Sequence, residues 1–273
     1  MLGKFKTFFK RYIVKEKITP IKIPIFQGKM LENKCALIIG GSGGIGYAIA
    51  KHFVSNACRV IITGTKDNKL SGLSSSLGEN CDFLSLDLKN VASFKDVVDK
   101  SVNKLGKIDI LVNAAGVHCK DKFGNISEEE WDKVIDTNLK GVYFMSQEVA
   151  NYMISNNIKG HILNVGSASC AKPGWTPYEI SKCAVKSLTL GMADKLIKHG
   201  IVVNSIAPGP VATQMLGKEN DDDLRWNGNP TGRMAPPEEI ANLAVLMASD
   251  LGNLIVGDTY FISGGSGTVC IDK

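Results

Sequence analysis

From residue 34 onward, short apolar runs alternate along the chain with segments of helical periodicity. The apolar runs are continuous, as expected of strands that are buried on both faces. Parallel strands need crossover helices between them, so this alternation predicts an α/β fold with a doubly wound parallel sheet of about seven strands and helices on both faces. The predicted strands cover 35–39, 59–63, 81–86, 108–113, 161–165, 201–206 and 258–262, and the predicted helices cover 47–56, 91–105, 127–138, 178–199 and 237–249.

The first 29 residues differ from the rest of the chain in charge. They hold eight Lys/Arg and one acidic residue, a balance of +7, whereas the remaining residues balance to −2. We therefore predict a basic N-terminal extension over 1–29 and a single domain over 30–273, because no linker or repeat interrupts the latter. The near-neutral charge of this domain gives no sign of a basic surface that would bind nucleic acid.

Within the extension, residues 1–17 place apolar side chains at helical spacing with basic residues between them. This is the pattern of a basic amphipathic helix. Packing on the protein's own surface or on a sister subunit is the favoured interpretation. Peripheral membrane contact through 1–17 is the alternative.

Cysteine and histidine usage argues against a metal site or a disulfide framework. The seven cysteines form no CxxC pair and the four histidines have no ligand spacing. Scattered reduced thiols are typical of a cytoplasmic protein. No apolar run approaches the ~18 residues of a membrane span, and the N-terminus lacks the apolar core of a secretory signal.

A glycine-rich run, Ile38–Gly46, joins the first predicted strand to the first predicted helix. Glycines at this place let backbone amides approach a pyrophosphate and let helix and strand pack closely. Two registers fit, G-x-G-x-x-G from Gly41 and G-x-x-x-G-x-G from Gly40. The run therefore predicts a dinucleotide site on a Rossmann-type fold, with contacts from Gly40, Ser42, Gly43, Gly44, Ile45 and Gly46.

The end of the second strand bears on which dinucleotide binds. An acid there would hold the ribose hydroxyls of NAD, but the sequence has Thr65 and Lys66 instead. A hydroxyl and a lysine suit a 2′-phosphate, so NADP(H) is favoured and NAD(H) remains possible. The alternative for Lys66 is a solvated loop lysine. Asp87, after the third strand, is placed either to meet the adenine or to start a helix.

Tyr178 and Lys182 stand four residues apart and share one face of a predicted helix. A free tyrosine titrates near pH 10, and a neighbouring ammonium would lower that pKa toward neutrality. Ser167, at the carboxyl edge of the fifth strand, could donate a hydrogen bond to a substrate oxygen. No G-x-S-x-G elbow surrounds it, so a serine-hydrolase role is not indicated.

Together these residues resemble the short-chain dehydrogenase/reductase family over about residues 31–268. The matching pieces, in the family's order, are the glycine turn at 40–46, Asp87, Asn113-Ala-Ala-Gly116, Asn138, Ser167, Tyr178 with Lys182, and Pro208–Thr213. The resemblance implies a nicotinamide-dependent oxidoreductase that interconverts a carbonyl compound and a secondary alcohol.

The resemblance also implies residue roles. Tyr178 would be the acid/base, Lys182 would lower its pKa and hold the nicotinamide ribose, Ser167 would orient the reacting oxygen, and Asn138 would hold a relay water. Further cofactor contacts are implied at Leu88, Asn113, Ala114, Ala115, Gly116, Pro208, Gly209, Val211 and Thr213, in addition to Tyr178 and Lys182.

The chain departs from the family at two positions in the glycine turn and in one loop. Ile39 replaces the usual threonine, which removes a hydroxyl tie to the neighbouring strand. Gly43 stands where NADP-preferring members often carry a basic residue, which weakens the NADP(H) prediction. The loop 168–177 is short, and Trp175 in it is predicted to form a wall of a substrate pocket with Ser167 and Tyr178.

The substrate is the least constrained prediction. Within the resemblance, a 3-oxoacyl carrier-protein reductase is one candidate, and a non-catalytic nucleotide-binding scaffold is a remote one. The uncharged helix end at 151–157 and the acids Asp221–Asp223 would not attract an acidic carrier, so a small polar carbonyl or alcohol is preferred. The resemblance further implies a homo-oligomer, a homotetramer or a dimer.

Overall fold

The computed structural model describes residues 28–217 and 224–269. Seven strands form one sheet in the order β3-β2-β1-β4-β5-β6-β7, and every neighbouring pair is parallel. The strands are β1 Cys35–Ile39, β2 Arg59–Gly64, β3 Cys81–Ser85, β4 Ile110–Asn113, β5 His161–Val165, β6 Val202–Pro208 and β7 Thr259–Ile262. The predicted doubly wound sheet is confirmed.

Helices connect the strands. They are α1 Gly44–Ser55, α2 Asp67–Leu77, α3 Phe94–Leu105, α4 Glu128–Ile135, α5 Gly141–Ser155, α6 Pro177–Leu196 and α7 Pro237–Ala248. A single π-helical turn, Asp136–Lys140, joins α4 to α5, so these two helices form one continuous rod. The first predicted helix begins earlier than expected because Gly43, extended at φ −90°, ends the glycine turn directly before α1.

The sequence analysis did not predict α2. Only Leu70 and Ser74 are buried on this helix, so the segment carries no apolar stripe. Its serine-rich sequence is helical because the crossover from β2 to β3 must pack Leu70 against the sheet. Tertiary packing here overrides a weak local signal.

Each face of the sheet carries its own apolar core. On one face, Ile49 and Phe53 of α1 and Ile240 of α7 pack against the strands. On the other face, Phe94 of α3 and Met145 of α5 do so. The strands are buried on both sides, which explains why their sequences read as continuous apolar runs.

Strand order reverses between β1 and β4, whose last paired residues are Ile39 and Asn113. Ligand sites of open α/β sheets lie at such a switch point, at the carboxyl edge. The tie expected to be lost with Ile39 is supplied by the adjacent strand instead. Thr63 Oγ1 lies 3.4 Å from both the Gly40 amide and the Ile38 carbonyl.

Several predictions concern parts of the chain that the structure does not describe or describes only in part. The basic extension over 1–29 lies almost entirely outside them, as do Asp221–Asp223. Within 28–217 and 224–269, no helix is long and apolar enough to cross a membrane. The same residues contain no cluster of potential metal ligands.

Candidate active site

The glycine turn is closed by backbone contacts that only glycine permits at two positions. Gly40 has φ +79°, and a Cβ there would lie 2.5 Å from the Ala115 Cα. A Cβ on Gly46 would overlap the Gly40 carbonyl oxygen. Gly43 is different, because its backbone is extended and a Cβ would meet only the Gly40 carbonyl oxygen, at 3.4 Å.

A cleft of about 630 Å³ opens above this turn at the carboxyl edge of the sheet. The predicted cofactor residues that line it are Gly40, Ser42, Gly43, Gly44, Ile45, Gly46, Thr65, Asp87, Leu88, Ala114, Ala115, Gly116 and Thr213. Lining residues that the sequence analysis missed include Thr63, Lys89, Val117, Lys133, Thr137, Gln214 and Met215. These residues follow the ends of strands or lie on α4 and the π turn, and that shared position could have been used to predict them.

Not every predicted contact lies on the cleft. Asn113 is buried and donates to Ser146 Oγ and Asn164 Oδ1, each at 2.9 Å, so it ties β4 to α5 and β5. Val211 is buried in a bridge with Ala235, Pro208 is the last residue of β6, and Gly209 follows it against the Ser263 backbone. Asp87 Oδ1 accepts from the Lys89 amide at 3.0 Å while the residue lines the cleft.

Three lysines surround the far end of the cleft. Lys66 and Lys69 line a shallow depression beside Thr65, and Lys69 with Lys51 lines an adjoining cavity of about 440 Å³. Ser42 and Gly43 line this cavity as well as the cleft, so the two adjoin at the glycine turn. Across the described part of the chain, none of the three lysines has an ion-pair partner.

Helix α6 begins with a full capping box. The Glu179 carboxylate accepts from the Thr176 amide at 3.0 Å and from the Thr176 hydroxyl, and Pro177 occupies the first turn. These contacts fix where the helix starts. They thereby fix the direction of Tyr178 and Lys182, one turn apart on the helix face that meets β5 and the π turn.

Tyr178 is half-buried beside Ser167. Burial raises the pKa of the phenol above its ordinary value, and the hydrogen bond with Ser167 lowers it by a smaller amount. Ser167 is itself oriented, because its hydroxyl accepts from the Ser169 amide at 3.1 Å. The ring of His118 lies against Tyr178, with centroids 4.7 Å apart.

Lys182 is only 6 % exposed, and its ammonium donates to the Val165 carbonyl at 2.9 Å. Desolvation lowers its pKa to about 8. The ammonium lies 5.9 Å from the centre of the Tyr178 ring. Burial is the main cause that raises the pKa of the phenol, and the role of Lys182 in lowering that pKa stays a prediction.

Asn138 lies fully buried on the π turn. Its amide accepts from the Val117 N–H at 2.8 Å and donates to the Val117 carbonyl at 2.9 Å and to Ser181 Oγ at 3.3 Å. Gly116 faces both this amide and Lys182, since a Cβ there would lie 3.5 Å from Asn138 Oδ1 and 3.6 Å from Lys182 Nζ. Because Gly116 also lines the cleft, the buried lysine adjoins it.

Trp175 lies in the loop between Ser167 and α6, and its side chain is 59 % exposed. The described residues include no partner that would hold the indole against Tyr178. Its assignment as a pocket wall stays a prediction.

Comparison with known proteins finds relatives of this chain in sequence and in fold. A family model described as short chain dehydrogenase matches residues 34–224. The chain is 36% identical to 3-oxoacyl-[acyl-carrier-protein] reductase FabG of Vibrio harveyi over 239 residues, which are 86% of this chain and 98% of that protein. It is 32% identical to the (2S)-[(R)-hydroxy(phenyl)methyl]succinyl-CoA dehydrogenase subunit BbsD of Thauera aromatica, covering 86% of this chain and 97% of that subunit.

Solved structures show the same similarity. The 3-ketoacyl-(acyl-carrier-protein) reductase from Brucella melitensis, complexed with NADH, superposes with a TM-score of 0.81 at 27% identity, covering 88% of this chain and 100% of that one. A putative gluconate dehydrogenase from Agrobacterium tumefaciens gives a TM-score of 0.80 at 27% identity, covering 88% and 98%.

Proposed function

This chain belongs to the short-chain dehydrogenase/reductase family of oxidoreductases, which act on alcohol and keto groups, and we propose that it reduces the keto group of a 3-oxoacyl substrate with NADPH. The observation that carries this proposal is the meeting of Tyr178 and Ser167 with a buried Lys182 that adjoins the dinucleotide cleft at Gly116.

The cleft fits a nicotinamide dinucleotide. Its volume of about 630 Å³ lies within the range of ligand sites, and the glycine turn leaves backbone amides at the start of α1 free of side-chain cover. The turn residues would hold the pyrophosphate, and Gly116 with Thr213 would flank the nicotinamide end. When bound, the cofactor supplies the hydride.

The proton would come from Tyr178. The ordinary pKa of a tyrosine lies near 10 and burial raises it here, so the phenol carries its proton at neutral pH. Ser167 would donate a hydrogen bond to the same substrate oxygen, since its side chain lies beside the phenol.

Lys182 and Asn138 would support that transfer. The lysine donates one hydrogen bond to Val165 and has two further N–H groups for the cofactor ribose and a water. Asn138 has both amide protons engaged, so only one lone pair of Oδ1 would be left for such a water, in the space above Gly116.

For the NADPH preference, Lys69 and Lys51 add to the two residues named from the sequence, Thr65 and Lys66. All three lysines lack ion pairs within the described residues and lie around the end of the cleft where the adenosine ribose would bind. Their positive charge would compensate for Gly43, which leaves that end open where a basic side chain would otherwise stand.

The proposed substrate follows the relatives. FabG of Vibrio harveyi is named for a 3-oxoacyl carrier protein, and the Thauera aromatica subunit for a hydroxyacyl-CoA thioester. A small polar carbonyl compound is the second candidate. The uncharged end of α5, near Asn151 and Asn156, favours it because an acidic carrier would gain nothing there.

The assembly is proposed to be a homo-oligomer, a dimer or a tetramer. Apolar side chains stand exposed on adjacent helices: Tyr143 on α5, and Ile180 and Leu190 on α6. Burial of such a patch against a second copy would remove apolar area from water. Sedimentation of the purified chain tests this.

A substrate panel tests the proposed activity. Acetoacetyl-CoA, its carrier-protein analogue and keto-sugar acids are each assayed with NADPH and with NADH by cofactor absorbance. We expect acetoacetyl-CoA with NADPH to give the highest kcat/KM. Turnover of the sugar acids alone would favour the second candidate, and turnover of none would overturn the proposal.

A further inference from the structure

The imidazole of His118 lies against the face of Tyr178 and is exposed to solvent. Their ring centroids are 4.7 Å apart and the planes are tilted by 33°. Nothing in the proton transfer described above uses this side chain. Its ring nitrogens have no hydrogen-bond partner among residues 28–217 and 224–269.

The backbone around His118 is fixed on both sides. Val117 is held through its N–H and its carbonyl by Asn138. Cys119 is 3 % exposed, and its thiol donates to the Asp121 carbonyl at 3.4 Å. The backbone that carries the imidazole is therefore held in place from both sides.

The other polar side chains around Tyr178 are already engaged. Lys182 donates to Val165, Asn138 is shared between Val117 and Ser181, and Ser167 accepts from Ser169 and reaches the phenol. The groups that Ser167 and Lys182 have left are assigned above to the reacting oxygen, the cofactor and a water, so His118 is available for another part of the substrate. An imidazole carries at least one N–H donor in either charge state.

We propose that His118 is a specificity residue that donates a hydrogen bond to a second oxygen of the substrate, located on the carbon skeleton close to the reacting carbonyl. This inference rests on the proposed function. The ring contact, with centroids 4.7 Å apart, places the imidazole beside the phenol that would meet the reacting oxygen. A β-dicarbonyl compound has a second acceptor close to its keto group, because its ester, thioester or carboxylate oxygen lies two carbons beyond it.

Two substitutions separate donation from packing. His118→Gln keeps an N–H donor and loses the ring, and His118→Phe keeps the ring and loses the donor. The probes are ethyl acetoacetate, which has the second oxygen, and 2-hexanone, which lacks it. The readout is the ratio of kcat/KM for the two probes with NADPH. His199→Gln, on an exposed histidine at the opposite end of α6, is the matched control.

We expect His118→Phe to lower the ratio by about tenfold or more through KM, the effect of losing one hydrogen bond to a polar group, and His118→Gln to keep it within about threefold. Equal ratios in the wild type and both variants would overturn the inference. A lower ratio in His118→Gln with an unchanged ratio in His118→Phe would also overturn the inference, because it would show that His118 acts through packing of its ring and not through a hydrogen bond.

A binding measurement keeps the two proposals apart. The His118 C2 proton resonance, assigned by its absence from His118→Phe, is followed by NMR as acetoacetyl-CoA is added to Tyr178→Phe. A shift of this resonance supports the inference even if turnover of every probe fails and the proposed function falls. Binding without any shift overturns the inference while the proposed function stands, and absence of binding overturns both.

Discussion

Asn138 holds both backbone polar groups of Val117, accepting from its N–H at 2.8 Å and donating to its carbonyl at 2.9 Å. One buried amide thus replaces a strand partner for the segment that leaves β4. That segment carries Gly116 to the cleft and His118 to Tyr178. The position of the chain between the cleft and Tyr178 therefore depends on the π turn.

Asn138→Ala should lower both the stability and the activity of the protein. Two backbone groups would lose their partner in the interior, and each buried unsatisfied group costs about 1–3 kcal/mol. We expect the free energy of unfolding in urea to fall by about 2–4 kcal/mol. Asn156→Ala, at the exposed C-terminal end of α5, is the control and should change it by less than about 1 kcal/mol. An unchanged unfolding midpoint for Asn138→Ala would contradict the conclusion that Asn138 holds the Val117 backbone in place.

The pH dependence of activity should have a falling limb set by Lys182. Burial lowers the pKa of this ammonium to about 8, so the cation is present below that pH and is lost as the pH rises through it. We expect kcat/KM for reduction to decline above pH 8, and Lys182→Arg to remove that decline because a guanidinium stays charged. The measurement is a kcat/KM profile across neutral to alkaline pH for both proteins. A decline retained unchanged in Lys182→Arg would show that another group titrates.

The glycine turn should tolerate a side chain at one position and reject it at another. Gly43 has an extended backbone and open space, so Gly43→Arg should fold and should tighten NADPH binding relative to NADH by about tenfold, the effect of one additional phosphate contact. Gly46→Ala should lose dinucleotide binding, because its Cβ would overlap the Gly40 carbonyl oxygen. Titration calorimetry with each cofactor measures both. Normal binding by Gly46→Ala would mean that the turn is looser than described.

Stability should fall with acidification because of His161, at the opposite edge of the sheet. Burial is the main cause that lowers its pKa from 6.5 to about 4, and its Nδ1 has no partner among the described residues. Between these values the unfolded chain binds the proton and the native protein does not, so stability is lost as the pH falls from 6.5 toward 4. The loss amounts to about 3 kcal/mol.

The measurement for His161 is urea unfolding at several pH values in this window, comparing the wild type with His161→Gln. The difference between the two proteins should change with pH across this window. A difference that does not change with pH would contradict the account.

The sequence was sufficient for the parallel sheet and for membership in an oxidoreductase family, because buried strands and the glycine turn are local signals. It was insufficient for α2, whose helix depends on packing Leu70, and for the burial of Tyr178, which raises the pKa of its phenol. It was also insufficient for Lys51 and Lys69, which approach the cleft from separate helices. Each of these depends on distances between residues far apart in the chain.

Tyr178→Phe tests the central claim most directly. The substitution removes the hydroxyl and keeps the ring, so the contact with His118 and the fold should persist. We predict that kcat with acetoacetyl-CoA and NADPH falls by about 10²–10⁴-fold, the range of general acid catalysis, while the Kd for NADPH changes by less than about threefold. A kcat within a few-fold of the wild type would contradict the assignment of Tyr178 as the proton donor.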